Sequence, residues 1–171
     1  MTSHPEREAD ELTELTALRE HLLGLVEELF LTPLEILGTA PTATRALREW
    51  AAVDSSAWAG QLLGPDAWLA RQTATRLTSA LRGSDGEFNP PTAWWGTPLG
   101  RVVARTLGHP GTEAISYAVA GAMLGVTRQA VHDLVVRGKL ERSVDGGVVV
   151  ASVQARLVSR RSRTATSSPA N

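Results

Sequence analysis

Thr127, Arg128, Gln129 and His132 stand close together near the start of one short segment, and Arg137, Lys139 and Arg142 follow soon after. An arginine can grip the two acceptors of guanine and a glutamine can pair with adenine, each contributing about 1–3 kcal/mol of discrimination. A threonine at a helix start offers its hydroxyl and backbone N–H to a phosphate. Arg137, Lys139 and Arg142, with Arg156 further on, are expected to touch phosphates, which sets position without reading sequence. The plain alternative for each exposed charge is a solvated surface residue. Enzymatic chemistry finds no such grouping. The chain has no cysteine, and its four histidines, His4, His21, His109 and His132, are scattered without ligand spacing. No glycine-rich loop ends in Lys-Ser/Thr, and neither Ser116 nor Ser143 has a readable His–acid partner. The expectation is a protein with no catalytic residues, no cofactor and no metal.

The elements that must hold these side chains are legible around them. Tyr117 to Leu124 has helical apolar spacing at Val119, Ala120, Met123 and Leu124, with Ser116 placed to cap it. Gly125 supplies the left-handed residue of a sharp exit. Thr127 caps a second helix from Arg128 to Arg137, with Ala130, Val131, Leu134 and Val135 inward. Lys139 to Arg142 reads as a short strand, Val144-Asp145-Gly146-Gly147 as a hairpin turn, and Val148-Val149-Val150 as the returning strand. Ser152 is expected to cap a last helix from Val153 to about Ser159. Helix, turn, helix, wing and helix together make a winged helix-turn-helix.

Gly125-Val126-Thr127-Arg128-Gln129-Ala130-Val131-His132 and Leu134-Val135-Val136-Arg137-Gly138-Lys139-Leu140 resemble the winged helix-turn-helix of the MerR and excisionase-like DNA-binding families. The resemblance spans Ile115 to Leu157, roughly a quarter of the chain. It implies that Arg128, Gln129, His132 and Arg137 face double-stranded DNA. Two positions depart from the pattern. Val119 stands where an acidic residue is common, and the wing tip, Val144 to Val148, lacks the usual basic residues. A protein-binding use of the same fold therefore stays open.

With 171 residues, 43% hydrophobic and 20% charged, the chain suits one or two soluble domains. No run of about 18 apolar residues would span a membrane, and no signal-peptide core follows the polar start. The reading is cytoplasmic, associated with the nucleoid. The net charge of −1 conceals an asymmetry: seven arginines face fourteen acids up to Glu87, but eight basic residues face four acids from Thr112 onward. Polyanions would approach the back half, where each neutralised phosphate releases counterions.

In the front half, Leu15, Leu18, Leu22, Leu25 and Leu29 alternate by three and four along a helix from Glu6 to Phe30, which fits either a dimer seam or a bundle helix. Thr32-Pro33 marks a new start. A helix from Thr42 to Val53 is expected to carry Leu47 and Trp50 inward, Asp54 to cap another with Trp58 and Leu62, and Ala67 to Leu81 to form a third around Trp68. Trp50, Trp58 and Trp68 suit a bundle core. Thr97 should cap a helix from Pro98 to Leu107, with Trp94 and Trp95 seating it on the C-terminal unit.

The fold class is therefore mainly α: an N-terminal helical bundle, then a winged helix-turn-helix with a small two-stranded β wing. Residues 1–87 form an acidic domain for dimerisation or sensing, 88–111 a connector, 112–159 the winged unit, and 160–171 a disordered basic, Ser/Thr-rich tail. The function expected is sequence-specific transcriptional regulation by a homodimer joined through the N-terminal helices. A protein–protein adaptor and an accessory DNA-binding factor in recombination or segregation are the alternatives. No small-molecule effector can be named.

Overall fold

The computed structural model describes residues 3–38, 41–81, 86 and 88–166, with side chains from Glu8 to Arg161. It is mainly helical with one small antiparallel sheet, and it separates into two compact units, Met1–Ala70 and Arg71–Asn171. The expected joint at Glu87 and the end of the tail beyond Thr166 lie outside the described residues. No helix among the described residues is long and apolar enough to cross a membrane.

The first unit is built on two long helices. Helix α1 (Ser3–Val26) runs without a break into a π turn (Glu27–Leu31) and then α2 (Thr32–Ile36). Thr32-Pro33 is therefore not a fresh start: the Thr32 N–H bonds to the Glu27 carbonyl, five residues back, and Leu31 before it is helical. The cause is Pro33, whose ring would clash with the carbonyl four residues earlier in a regular helix. A π turn widens the backbone just there. The turn is held from outside by Arg48, which reaches Glu35 Oε1 at 2.7 Å and Glu27 Oε1 at 3.9 Å.

Helix α3 (Pro41–Leu63) packs along α1. It is one helix, not two, and Asp54 lies half-buried in its middle instead of capping a second. Its buried positions are Thr44, Ala51, Ser55, Ala59 and Leu62, mostly small, so two backbones can approach closely. This displaces the larger side chains. Trp50 is 50% exposed and Trp68 68% exposed, and Leu47 is exposed as well, contrary to the expectation of an aromatic core. Trp58 is half-buried and meets Trp50 edge-to-face at 6.1 Å. Of the leucine series only Leu18 and Leu22 are buried, and they are enclosed within the chain. Helix α4 (Ala67–Ala80) spans the division between units, and Asp66 caps it by accepting from the Trp68 and Leu69 N–H groups at 3.0 Å.

The second unit gathers around a 3-10 turn (Thr92–Gly96) and α5 (Pro98–Thr106), with Thr97 accepting from Gly100 N at 3.1 Å as the cap. Trp95 is fully buried, and the turn packs on α5 and on α6 (Tyr117–Leu124), so the tryptophan pair seats one on the other as expected. Gly100 is required there, because a Cβ would lie 2.1 Å from the Trp94 carbonyl. Phe88, Trp94, Trp95 and His109 form one aromatic cluster with centroids 4.9–6.4 Å apart.

The sheet differs from the expected wing. Strand β1 (Ala114–Ile115) pairs antiparallel with β2 (Val148–Val149), while Arg142 joins only through a single bridge to Val148. Lys139 to Arg142 is therefore not a strand. The segment preceding α6 takes the edge of β2 because Ile115 and Val148 are both buried and set opposite each other. Helix α7 (Arg128–Val136) precedes the hairpin and α8 (Val150–Thr166) follows it. Helix α8 starts earlier and ends later than expected, so Arg160 to Thr166 is helical and not a loose tail. Ser152 is inside it: its hydroxyl accepts from Glu141 N at 3.1 Å and donates to the Val149 carbonyl at 2.8 Å, binding the hairpin to the helix.

Leu18→Ala should lower stability by about 2–5 kcal/mol in chemical denaturation, as for enclosed leucines generally. Leu12→Ala, at a side chain 62% exposed, should change it little. Equal losses would mean that the α1 face is packed differently.

Burial holds the pKa of His109 below its usual 6.5, and its Nδ1 accepts from Gly111 N at 3.1 Å, a bond that protonation destroys. A folded-state pKa below the unfolded one gives stability that is present above pH 6.5 and lost as pH falls through the folded value. His21, also lowered by burial, has the same sign. The double variant His21→Gln/His109→Gln should unfold with a flatter dependence on pH over this range. An unchanged dependence assigns it to other groups.

Candidate nucleic-acid interface

The site is built by two helix ends of the same design. Ser116 Oγ accepts from Val119 N at 3.2 Å and starts α6; Gly125, at φ 66° and ψ 37°, ends it. Val126 N then bonds to the Gly121 carbonyl at 2.9 Å and Gly125 N to the Ala122 carbonyl at 3.3 Å, the paired bonds of a Schellman motif. Thr127 Oγ1 accepts from Ala130 N at 3.2 Å and starts α7. Gly138, at φ 65°, ends that helix with the same pair: Lys139 N to the Leu134 carbonyl at 2.8 Å, Gly138 N to the Val135 carbonyl at 3.0 Å.

Between the helices the backbones nearly touch. A Cβ on Gly121 would stand 2.8 Å from the Val126 carbonyl oxygen, so only glycine admits the turn at this distance. Sequence reasoning passed over Gly121; the signal was a glycine inside an apolar helical stretch, which often marks close packing.

Helix α7 buries Val131 and half-buries Ala130, Leu134 and Val135. Its outward residues are Arg128, Gln129, His132, Asp133 and Val136, all exposed. Gln129 Nε2 donates to Asp133 Oδ1 at 3.4 Å, His132 Nδ1 lies 4.0 Å from the same oxygen, and the His132 ring sits 6.2 Å from Tyr117 of α6. Asp133 thus holds Gln129, one helical turn before it. Lys139 and Arg142 are exposed beyond the end of α7, on the hairpin side.

Arg137 falls elsewhere. It lines an open cleft of about 380 Å³ between α7 and α8, together with Val126, Ala130, Asp133, Leu134, Arg156 and Arg160. Arg160 was assigned to a tail, yet its Nη1 donates to the Leu124 carbonyl at 2.9 Å, closing the last turn of α6. The available signal was the spacing of Arg156 and Arg160, one turn apart on any helix that continues past Ser159. The site residues therefore divide into two groups: Arg128, Gln129 and His132 on the ridge of α7, and Arg137 in the basic cleft along its flank.

No family model, no curated protein and no solved structure matches the chain. Its site has to be read from its own geometry.

Gly121→Ala should destabilise the protein by about 1–3 kcal/mol, the usual cost of forcing extra volume into a packed contact. Gly125→Ala should cost about 1–2 kcal/mol through the left-handed backbone alone. Thermal or urea unfolding measures both. A Gly121→Ala protein as stable as the parent would show that α6 and the turn are not in contact.

Proposed function

We infer that the chain is a DNA-binding regulatory protein that uses Ala114 to Leu157 as a winged helix-turn-helix. The observation that carries this reading is the ridge of α7, where Arg128, Gln129 and His132 are exposed side by side after a capped helix start. A helix entering the major groove presents the residues of its N-terminal half to base edges. The core of α7 lies on the other side, so these side chains stand outside it. Thr127 would meet a phosphate at the helix start, and Lys139 and Arg142 would follow the backbone beside it. Association with the nucleoid and a role in transcription belong to the same proposal.

One small reader makes few phosphate contacts, and such units generally work in pairs on half-sites about 34–36 Å apart. A homodimer through the first unit would supply the second copy. Because Leu18 and Leu22 are enclosed within the chain, the residues left for that contact are Leu12, Leu29 and Phe30. A second reading, a protein–protein adaptor, is favoured by the exposure of Ile36, Leu37, Trp50 and Trp68, since several large apolar side chains in one small unit suit a partner surface.

Selection of a preferred site from random duplexes, followed by salt titration, tests the reading. Arg128→Ala and Gln129→Ala should each weaken binding to the preferred site by about 1–3 kcal/mol and binding to random DNA much less. Their stability should stay within about 0.5 kcal/mol of the parent. Absence of duplex binding at low salt would favour the adaptor.

A further inference from the structure

The cleft between α7 and α8 gathers three like charges along one lining. Arg137 enters from the end of α7, while Arg156 and Arg160 enter from successive turns of α8. Asp133 is the only carboxylate on its lining, and its Oδ1 is already engaged by Gln129. Among the described residues no carboxylate lies within ion-pair distance of Arg137 or Arg156. Guanidinium groups held near one another repel unless an anion lies between them, and their fork of N–H donors matches the oxygens of a phosphate.

The lining also carries apolar side chains, Val126, Ala130 and Leu134. Apolar lining beside the guanidinium groups lowers the local dielectric and strengthens charge-assisted bonds made there. Arg160 is fixed by its bond to the Leu124 carbonyl, so one side of the cleft is set before any ligand arrives.

We propose that this cleft is a phosphate-binding site. Its volume of about 380 Å³ admits a phosphate with a sugar attached, and its open mouth lets a polymer backbone pass. The phosphate belongs either to the backbone of a docked duplex, a source that rests on the function proposed above, or to a free phosphate compound, a source that does not. The cleft is separate from the ridge of α7. It would hold a strand at the wall of the groove while Arg128, Gln129 and His132 face the bases.

The test uses the full chain and two probes. Inorganic phosphate is titrated against chloride at constant ionic strength while the arginine Nε–H signals are followed by NMR. A random-sequence duplex is titrated with salt. The variant Arg137→Gln/Arg156→Gln removes two charges and keeps both stems, Arg160 is left in place, and Arg101→Gln on α5 is the control. Circular dichroism verifies the fold of each.

For a backbone site, the slope of log K against log salt should fall by about 1.8 in the double variant and stay constant in the control. For a free phosphate site, the Arg137 and Arg156 signals should shift with phosphate, and binding should weaken at least tenfold in the double variant. Phosphate binding without any duplex binding supports the cleft and overturns the DNA reading. Duplex binding with an unchanged slope, and no response to phosphate, overturns the cleft and leaves the DNA reading standing. No response to either probe overturns both.

Discussion

The contact on which the second unit depends is the approach of the Val126 carbonyl to Gly121, with Gly125 left-handed between them. That contact fixes how α7 leaves α6. From it follow the cap at Thr127, the burial of Val131, and the side of α7 that remains outside. The cleft depends on it too, because Val126 lines the cleft and Arg160 fastens α8 to the last carbonyl of α6. A single methyl at Gly121 would therefore disturb the ridge and the cleft together, although neither includes that residue.

The first unit is governed by the opposite economy of size. Ala51, Ser55 and Ala59 form the buried strip of α3, and small residues there allow α1 to come close. The large side chains have nowhere to go but outward. Ser55 and Thr44 are themselves buried in this strip, which shows how tightly it is closed. Compactness in this unit comes from backbone proximity more than from aromatic bulk.

What could be read from the chain beforehand follows the range of the interactions concerned. Ser116, Thr97 and Thr127 cap the helices they were expected to cap, since each cap needs only an N–H three residues away. Gly125 ends its helix for the same local reason. The exposed placement of Arg128, Gln129 and His132 followed from helical spacing. The pairing of Ala114 with Val149 did not, because it joins residues distant in sequence and neither strand is long enough to carry a pattern. The continuity of α3 through Asp54 was hidden by a residue that also makes good caps. Tryptophans were expected inside on grounds of hydrophobicity, but a strip of small residues had already occupied the interface. Arg160 was read as tail because composition, not periodicity, was the guide after Ser159.

Proline at position 33 has an effect well upstream of itself. A π turn contains one more residue than the α turn it replaces, and each residue of an α-helix advances about 100° around the axis. The inward series accordingly steps from Leu22 through half-buried Val26 to buried Leu31, with five residues in the last interval, and Leu29 falls outside it. Leu29 and Phe30 are thereby swung onto the outer surface. The leucine heptad is thus out of phase with the helix that carries it, and one imino acid decides which apolar side chains the molecule shows to its surroundings.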